Sequence, residues 1–132
     1  MNNEKKHSWQ EKMQEKLEDI STLRKKSHQK FLSMNSKTYK AFLEMERVTF
    51  ADGHLPAKVK ELIALGLSIV INCESCMQWH TEQAAKAGAT EEEVLEAIEV
   101  AIEMGGGPAT VSARLALAVM EKLYTEKDPK NF

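Results

Sequence analysis

The only cysteines of the chain, Cys73 and Cys76, sit in "INCESCMQWH", and His80 follows four residues after the second. Three chemistries fit such a set: a redox pair, part of a metal clip, or two inert buried thiols. If a helix begins after Asn72, the two Cα atoms lie about 5 Å apart, inside the range that a disulfide bridges. A thiol at a helix N-terminus also faces partial positive charge from unpaired N–H groups, which favours the reactive thiolate. His80 shares a helix face with Cys76, while Cys73 is turned farther away, so the spacing pairs the imidazole with Cys76. An imidazole there can take the thiol proton and return it to a leaving oxygen, a service worth roughly 10²- to 10⁴-fold in rate. Helix-terminus electrostatics alone would instead make Cys73 the nucleophile. Both assignments stand on the residues alone.

Glu61 is the third element. It lies at the head of a nearly wholly apolar stretch, and if it points inward it needs a partner, which a histidine on the adjoining helix supplies. The plainer reading is a solvated acid in a first helical turn. Zinc is the main rival for the sulfurs, since Cys73, Cys76 and His80 make three ligands. A fourth would have to come from His54 or Glu61, and no second Cys or His pair follows. The spacing therefore favours redox chemistry over zinc, with no metal or cofactor. The competing class is a zinc-stabilised or scaffold-type interaction protein without catalysis.

Helices must position these residues. Trp9, Met13, Leu17, Ile20 and Leu23 form one apolar stripe on an otherwise charged segment, which calls for a partner surface. Tyr39, Phe42, Leu43, Met45 and Val48 mark a second helix over about residues 37–50, closed by "ADGHLP". Pro56 suits a first turn, and "AKVKELIALGLSIVI" then carries apolar residues on most faces, as a central helix does. The cysteine helix runs from about Glu74 to Ala87 and ends at Gly88. Thr90 and Glu93 have capping-box spacing at the head of the next helix, and a last helix follows Pro108. Hairpin signals are nearly absent, so the expected fold is all-α, with about six helices. The expected organisation is an N-terminal amphipathic helix over residues 1–34 that forms a homo-oligomer through its apolar stripe, a helical domain over 35–125 and a frayed tail over 126–132. "GGGPAT" needs no anion to explain it. Met77 and Trp79 are expected to pack against neighbours, and His7, His28 and His54 to lie on the surface.

With 132 residues, 42% hydrophobic and 29% charged, the chain has the composition of one globular domain. Its formal charge of -2 is uneven, because residues 1–40 carry ten Lys or Arg against five acids and the remainder sums to -7. The basic segment interleaves acids with its lysines, so neither nucleic acid nor membrane is an expected partner. The longest apolar run is too short to span a bilayer, and the N-terminus lacks a signal-peptide core, so the expected location is cytoplasmic. Reduced cytosolic thiols make a merely structural disulfide an unfavoured reading. A thioredoxin fold does not fit either, since no βαβ alternation surrounds the motif.

Glu61, eleven residues, "CESC", three residues and His80, followed by "AGATEEEVLEAI" and "GGGPA", closely resembles the carboxymuconolactone decarboxylase-like superfamily in its alkyl hydroperoxidase D-like branch. The resemblance runs from about Phe42 to Leu123. It implies an all-helical fold assembling into trimers or hexamers, and thiol peroxidase or disulfide reductase activity served by an external dithiol donor. Cys76 resembles the thiol that becomes a sulfenic acid, and Cys73 the proton donor that then closes the disulfide. His80 and Glu61 resemble the proton relay. Ser75 stands where founding members of the branch have a histidine, and the decarboxylases of the superfamily lack the paired cysteines.

Overall fold

The computed structural model describes residues 8–125. The expectations for His7 and for the tail beyond residue 125 lie outside them. The described residues form six α-helices and no strand: α1 (Trp9–Ser33), α2 (Lys37–Phe50), α3 (Ala57–Val70), α4 (Glu74–Lys86), α5 (Glu91–Gly105) and α6 (Gly107–Thr125). None is long and apolar enough to cross a membrane. The chain divides into two compact units between Met45 and Glu46, within α2.

In the first unit, Ser8 caps α1 by accepting the Glu11 N–H at 3.2 Å. Of the expected stripe, Leu17 is buried, Met13 and Ile20 are half-buried, and Trp9 and Leu23 are exposed. Asn35, at φ 53°, reverses the chain while Asn35 and Ser36 donate their N–H groups to the Leu32 and Phe31 carbonyls. This left-handed C-cap satisfies the carbonyls that a helix end leaves open. Ser36 Oγ then accepts the Tyr39 N–H and starts α2. His28 departs from the surface position expected of it. It is half-buried, with Nδ1 2.6 Å from the Tyr39 hydroxyl, and Phe31 stacks on the Tyr39 ring at 4.3 Å. The reason is that the tight turn folds α2 back along the end of α1.

The second unit takes the end of α2 and the four helices α3–α6. α3 packs on α4 and α5, and α6 closes the ring by packing on the same two. Leu65, Ile69, Met77, Val94, Ile98 and Val119 fill the centre. Each such side chain removed from water contributes about 1.5–3 kcal/mol. Ala109, Ala113 and Ala116 are also buried and let α6 approach closely. Two glycines set the α5–α6 junction. A Cβ on Gly105 would come within 2.7 Å of Ala109 Cβ, and Gly106 turns at φ 69° and ψ -152°. Thr90 and Glu93 form the expected capping box at the head of α5. Pro56 sits one residue earlier than expected, at the N-cap itself, where its ring carries no hydrogen-bonding group to cap the helix. Asp52 does that work instead, its Oδ1 accepting the Ala57 N–H at 2.7 Å.

Candidate active site

The junction between α3 and α4 is where the chemistry concentrates. Asn72 takes φ 56°, a left-handed conformation that an Asn tolerates better than most residues, and donates to the Ile69 carbonyl. Cys73 N–H reaches back to the Ser68 carbonyl at 2.9 Å, which completes the C-cap of α3. The same residue opens the next helix: Cys73 is the N-cap of α4, and its Sγ accepts the Cys76 N–H at 3.3 Å. One residue thus ends α3 and begins α4, and the CxxC pair is fixed in the first turn. Cys73 and Cys76 are joined by a disulfide with Cα atoms 5.2 Å apart, as the helical spacing requires. Both residues are half-buried.

One helical turn on, His80 Nδ1 lies 2.7 Å from Glu61 Oε2. Glu61 is buried, at 7% exposure, and the His80 side chain keeps 15% of its surface in solvent. A carboxylate oxygen only accepts, so Nδ1 carries the hydrogen and Nε2 is the ring nitrogen left for exchange. The inward-pointing reading of Glu61, rather than the solvated one, is what the fold adopts, and the bond to His80 offsets the cost of burying it. The four residues singled out by spacing are brought together as two linked pairs on α3 and α4.

Phe50 was not visible as a site residue. Its ring stacks on the His80 imidazole, with centroids 5.2 Å apart and planes 28° from parallel. Only its place at a helix end before a breaker was legible, and that gave no signal of a target. Met77 is fully buried, as expected of a packing residue, and His54 is exposed in the α2–α3 connection. Among the described residues, no three His, Cys, Asp or Glu side chains converge as a metal site.

Comparison with known proteins agrees with this architecture. The model of the carboxymuconolactone decarboxylase family matches residues 36–119, which include every residue of the site. Uncharacterized protein 4 in the cox locus of Paracoccus denitrificans is 43% identical over 83 residues, covering 63% of this chain and 75% of that protein. A Cupriavidus necator protein, H16_B0147, also uncharacterized, is 43% identical over 83 residues, 63% of this chain and 74% of its own. Among solved structures, a carboxymuconolactone decarboxylase family protein from Legionella pneumophila superposes with a TM-score of 0.77 at 33% identity, covering 81% of this chain and 96% of its own. A family member from Thermotoga maritima, for which a part in an antioxidative response has been suggested, superposes with a TM-score of 0.77 at 26% identity, covering 86% and 97%. With the family model spanning more than half of its length, the chain belongs to the carboxymuconolactone decarboxylase family.

Proposed function

We propose that this chain is a thiol-dependent peroxidase or disulfide oxidoreductase that cycles the Cys73–Cys76 disulfide, with His80 and Glu61 as its proton relay. The observation that carries the reading is the disulfide itself, set in the first turn of α4 one turn before an imidazole oriented by a buried carboxylate. The antioxidative role suggested for the Thermotoga relative points the same way.

In the cycle, His80 Nε2 takes the Cys76 proton, and the thiolate attacks the distal oxygen of a hydroperoxide. The O–O bond breaks, Cys76 becomes a sulfenic acid, and the departing alkoxide takes the proton back to leave as an alcohol. The Cys73 thiol then attacks the Cys76 sulfur, forming the disulfide and releasing water. An external dithiol donates two electrons and two protons by thiol–disulfide exchange, becomes a disulfide itself, and restores both thiols. With a target protein's disulfide in place of the peroxide, thiol–disulfide exchange reduces that target to two thiols and oxidises Cys73 and Cys76 to their disulfide, and the external dithiol again restores them, which is a protein disulfide reductase with little direct peroxidase activity.

The assignment of roles is tested by trapping. After a brief peroxide pulse, Cys73→Ser retains a sulfenic acid at Cys76 that a dimedone-type reagent captures, whereas Cys76→Ser gives no adduct at Cys73. The reverse pattern reassigns the nucleophile to the N-cap thiol. No peroxide-driven change at either sulfur, together with rapid dithiol exchange, leaves the reductase. Inertness to both reagents removes the enzyme and returns the chain to the scaffold class.

The functional unit we propose is a homo-oligomer. Ile63, Leu67 and Val70 recur along α3 with about half or more of each exposed, and Val100 and Met104 do the same on α5. Contiguous apolar surface of this kind marks a protein interface more often than a free monomer face.

A further inference from the structure

We infer that Phe50 is a positioning residue for His80, held there by Lys60. This rests on the reading of His80 as the proton-transfer group. The stack on the imidazole is made by the last residue of a helix, followed by six residues, 51–56, without regular structure. A side chain in that place would sway unless its backbone were tied, and Lys60 ties it. The Lys60 ammonium donates to the Thr49 carbonyl at 2.8 Å and to the Ala51 carbonyl at 2.7 Å, one on each side of Phe50. The bond from Ala57 N–H to Asp52 Oδ1 pins the same connection to the start of α3. Gly53 lies over the ammonium, close enough that a Cβ there would sit 3.6 Å from Nζ.

Lys60 and Glu61 are consecutive in α3, and they hold His80 by two routes. Glu61 fixes one edge of the ring through Nδ1. Lys60 fixes the strap that lays a second ring on its face. An imidazole pinned at one edge alone still rocks about that hydrogen bond and about its own Cβ–Cγ bond. The stacked ring removes that rocking, so that Nε2 keeps one direction. Proton transfer depends on that direction, because small misplacements of a catalytic group cost rate steeply. The Phe50 ring itself exchanges no proton.

The test uses the full chain with Phe50→Leu, Phe50→Tyr, Lys60→Met and the Phe50→Leu/Lys60→Met pair. Three quantities are read: the rate of thiol oxidation by hydrogen peroxide, the thermal melt, and the imidazole nitrogen NMR spectrum of His80. Leucine fills the space without an aromatic face, and tyrosine keeps the face. We expect Phe50→Leu to slow oxidation about tenfold and Phe50→Tyr to stay within about twofold of wild type, the scale of a modest misalignment. Lys60→Met should behave as Phe50→Leu does, and the pair no worse than its slower member, because both act through one stack. The His80 nitrogen signals should shift and broaden in the slow variants while Nδ1, still bonded to Glu61, stays protonated, a local change that a simple loss of stability would not produce. An unaltered rate and spectrum in Phe50→Leu overturns the inference, as does a tyrosine variant as slow as leucine. If Phe50→Leu does not fold, Lys60→Met decides alone. Should wild type not react with peroxide at all, the proposed cycle fails, and the spectrum of Phe50→Leu still decides the positioning role.

Discussion

Cys73 stands in its turn as Ser36 stands in its own. Each donates its N–H to the carbonyl five residues back, at 2.9 Å to Ser68 for Cys73 and 3.2 Å to Phe31 for Ser36. Each then accepts, on its side chain, the N–H three residues ahead, at 3.3 Å from Cys76 and 3.1 Å from Tyr39. Asn35 and Asn72, with φ of 53° and 56°, precede them. A cysteine thus occupies the place of a hydroxyl N-cap, and its sulfur is both a structural acceptor and half of the disulfide. Under reducing conditions, Cys73→Ser should melt at or above the reduced wild type, since serine is the better cap. Cys73→Ala should lose about 1 kcal/mol against Cys73→Ser in chemical denaturation. Equal stability of the two variants would show that the sulfur does no capping.

Asn72 carries a separate cost. Its left-handed backbone is free for glycine, tolerable for asparagine and strained for a β-branched residue. Asn72→Gly should stay within about 0.5 kcal/mol of wild type, and Asn72→Val should lose about 1–2 kcal/mol by the strain of that conformation. Denaturant midpoints measure both, and a valine variant as stable as the glycine one would contradict the turn geometry.

These turns also mark how far the sequence could be read. The helices were legible because each has a periodic apolar face and a breaker or cap at its ends: Thr90 with Glu93, Gly88, and the glycines before Pro108. Glu61 and His80 were legible as candidates because a charged residue at the head of an apolar helix needs a partner. What was hidden depends on tertiary folding. Nothing local to "VTFADG" points Phe50 at a ring thirty residues away, and nothing near His28 announces Tyr39. Asp52 replacing Pro56 as the cap of α3 needs the connection to fold back on itself. The repeat of Asn followed by Ser or Cys, at residues 35–36 and 72–73, was a usable signal for both tight turns.

The relay makes a graded prediction. His80→Ala removes the proposed acceptor of the thiol proton and should slow peroxide oxidation of the thiols by about 10²-fold or more, the usual contribution of a general base. Glu61→Gln keeps a hydrogen-bonding side chain of the same size but loses the charge that orients the ring. It should cost about tenfold, because a positioning defect is smaller than loss of the base. Stopped-flow oxidation at fixed pH separates the two. If Glu61→Gln is slower than His80→Ala, the carboxylate has a role other than orienting the ring.

Stability should respond to pH at two places. The Glu93 carboxyl is held below its ordinary 4.5, first by the backbone hydrogen bond from Thr90 and then by the Lys58 ammonium 3.0 Å away. A depressed carboxyl stabilises the fold above 4.5 and loses that contribution as pH falls through its lower folded value. Glu93→Gln keeps the capping geometry but cannot titrate, so the melting temperature of wild type should fall more steeply below pH 4.5 than that of the variant. The Tyr124 phenol, which donates to the Ala89 carbonyl at 2.6 Å, is pushed above 10.0 by burial and then by Glu93, Glu91 and Glu92. Its contribution is whole below 10.0 and declines as pH rises through the raised value. Tyr124→Phe should therefore flatten the alkaline limb. Parallel melting curves for variant and wild type in either limb would remove that group from the account.

The exposed rows on α3 and α5 lie side by side. A Cβ on Gly66 would sit 3.7 Å from the Ala97 carbonyl, so the two backbones approach closely there, and one on Gly105 would meet the Val70 side chain at 3.5 Å. Leu67 at 60% exposure is the most open residue of the α3 row, and Met104 at 75% the most open of the α5 row, so both rows offer apolar surface on adjoining helices. Such a surface is stable in water when a second copy covers it, and light scattering at micromolar concentration should find an oligomer. Leu67→Glu with Met104→Glu puts like charges at the centre of that contact and should release monomers whose circular dichroism is unchanged, because neither side chain belongs to the core. A wild type that scatters as a monodisperse monomer would refute the assembly, and a double variant that stays associated would place the contact on another face.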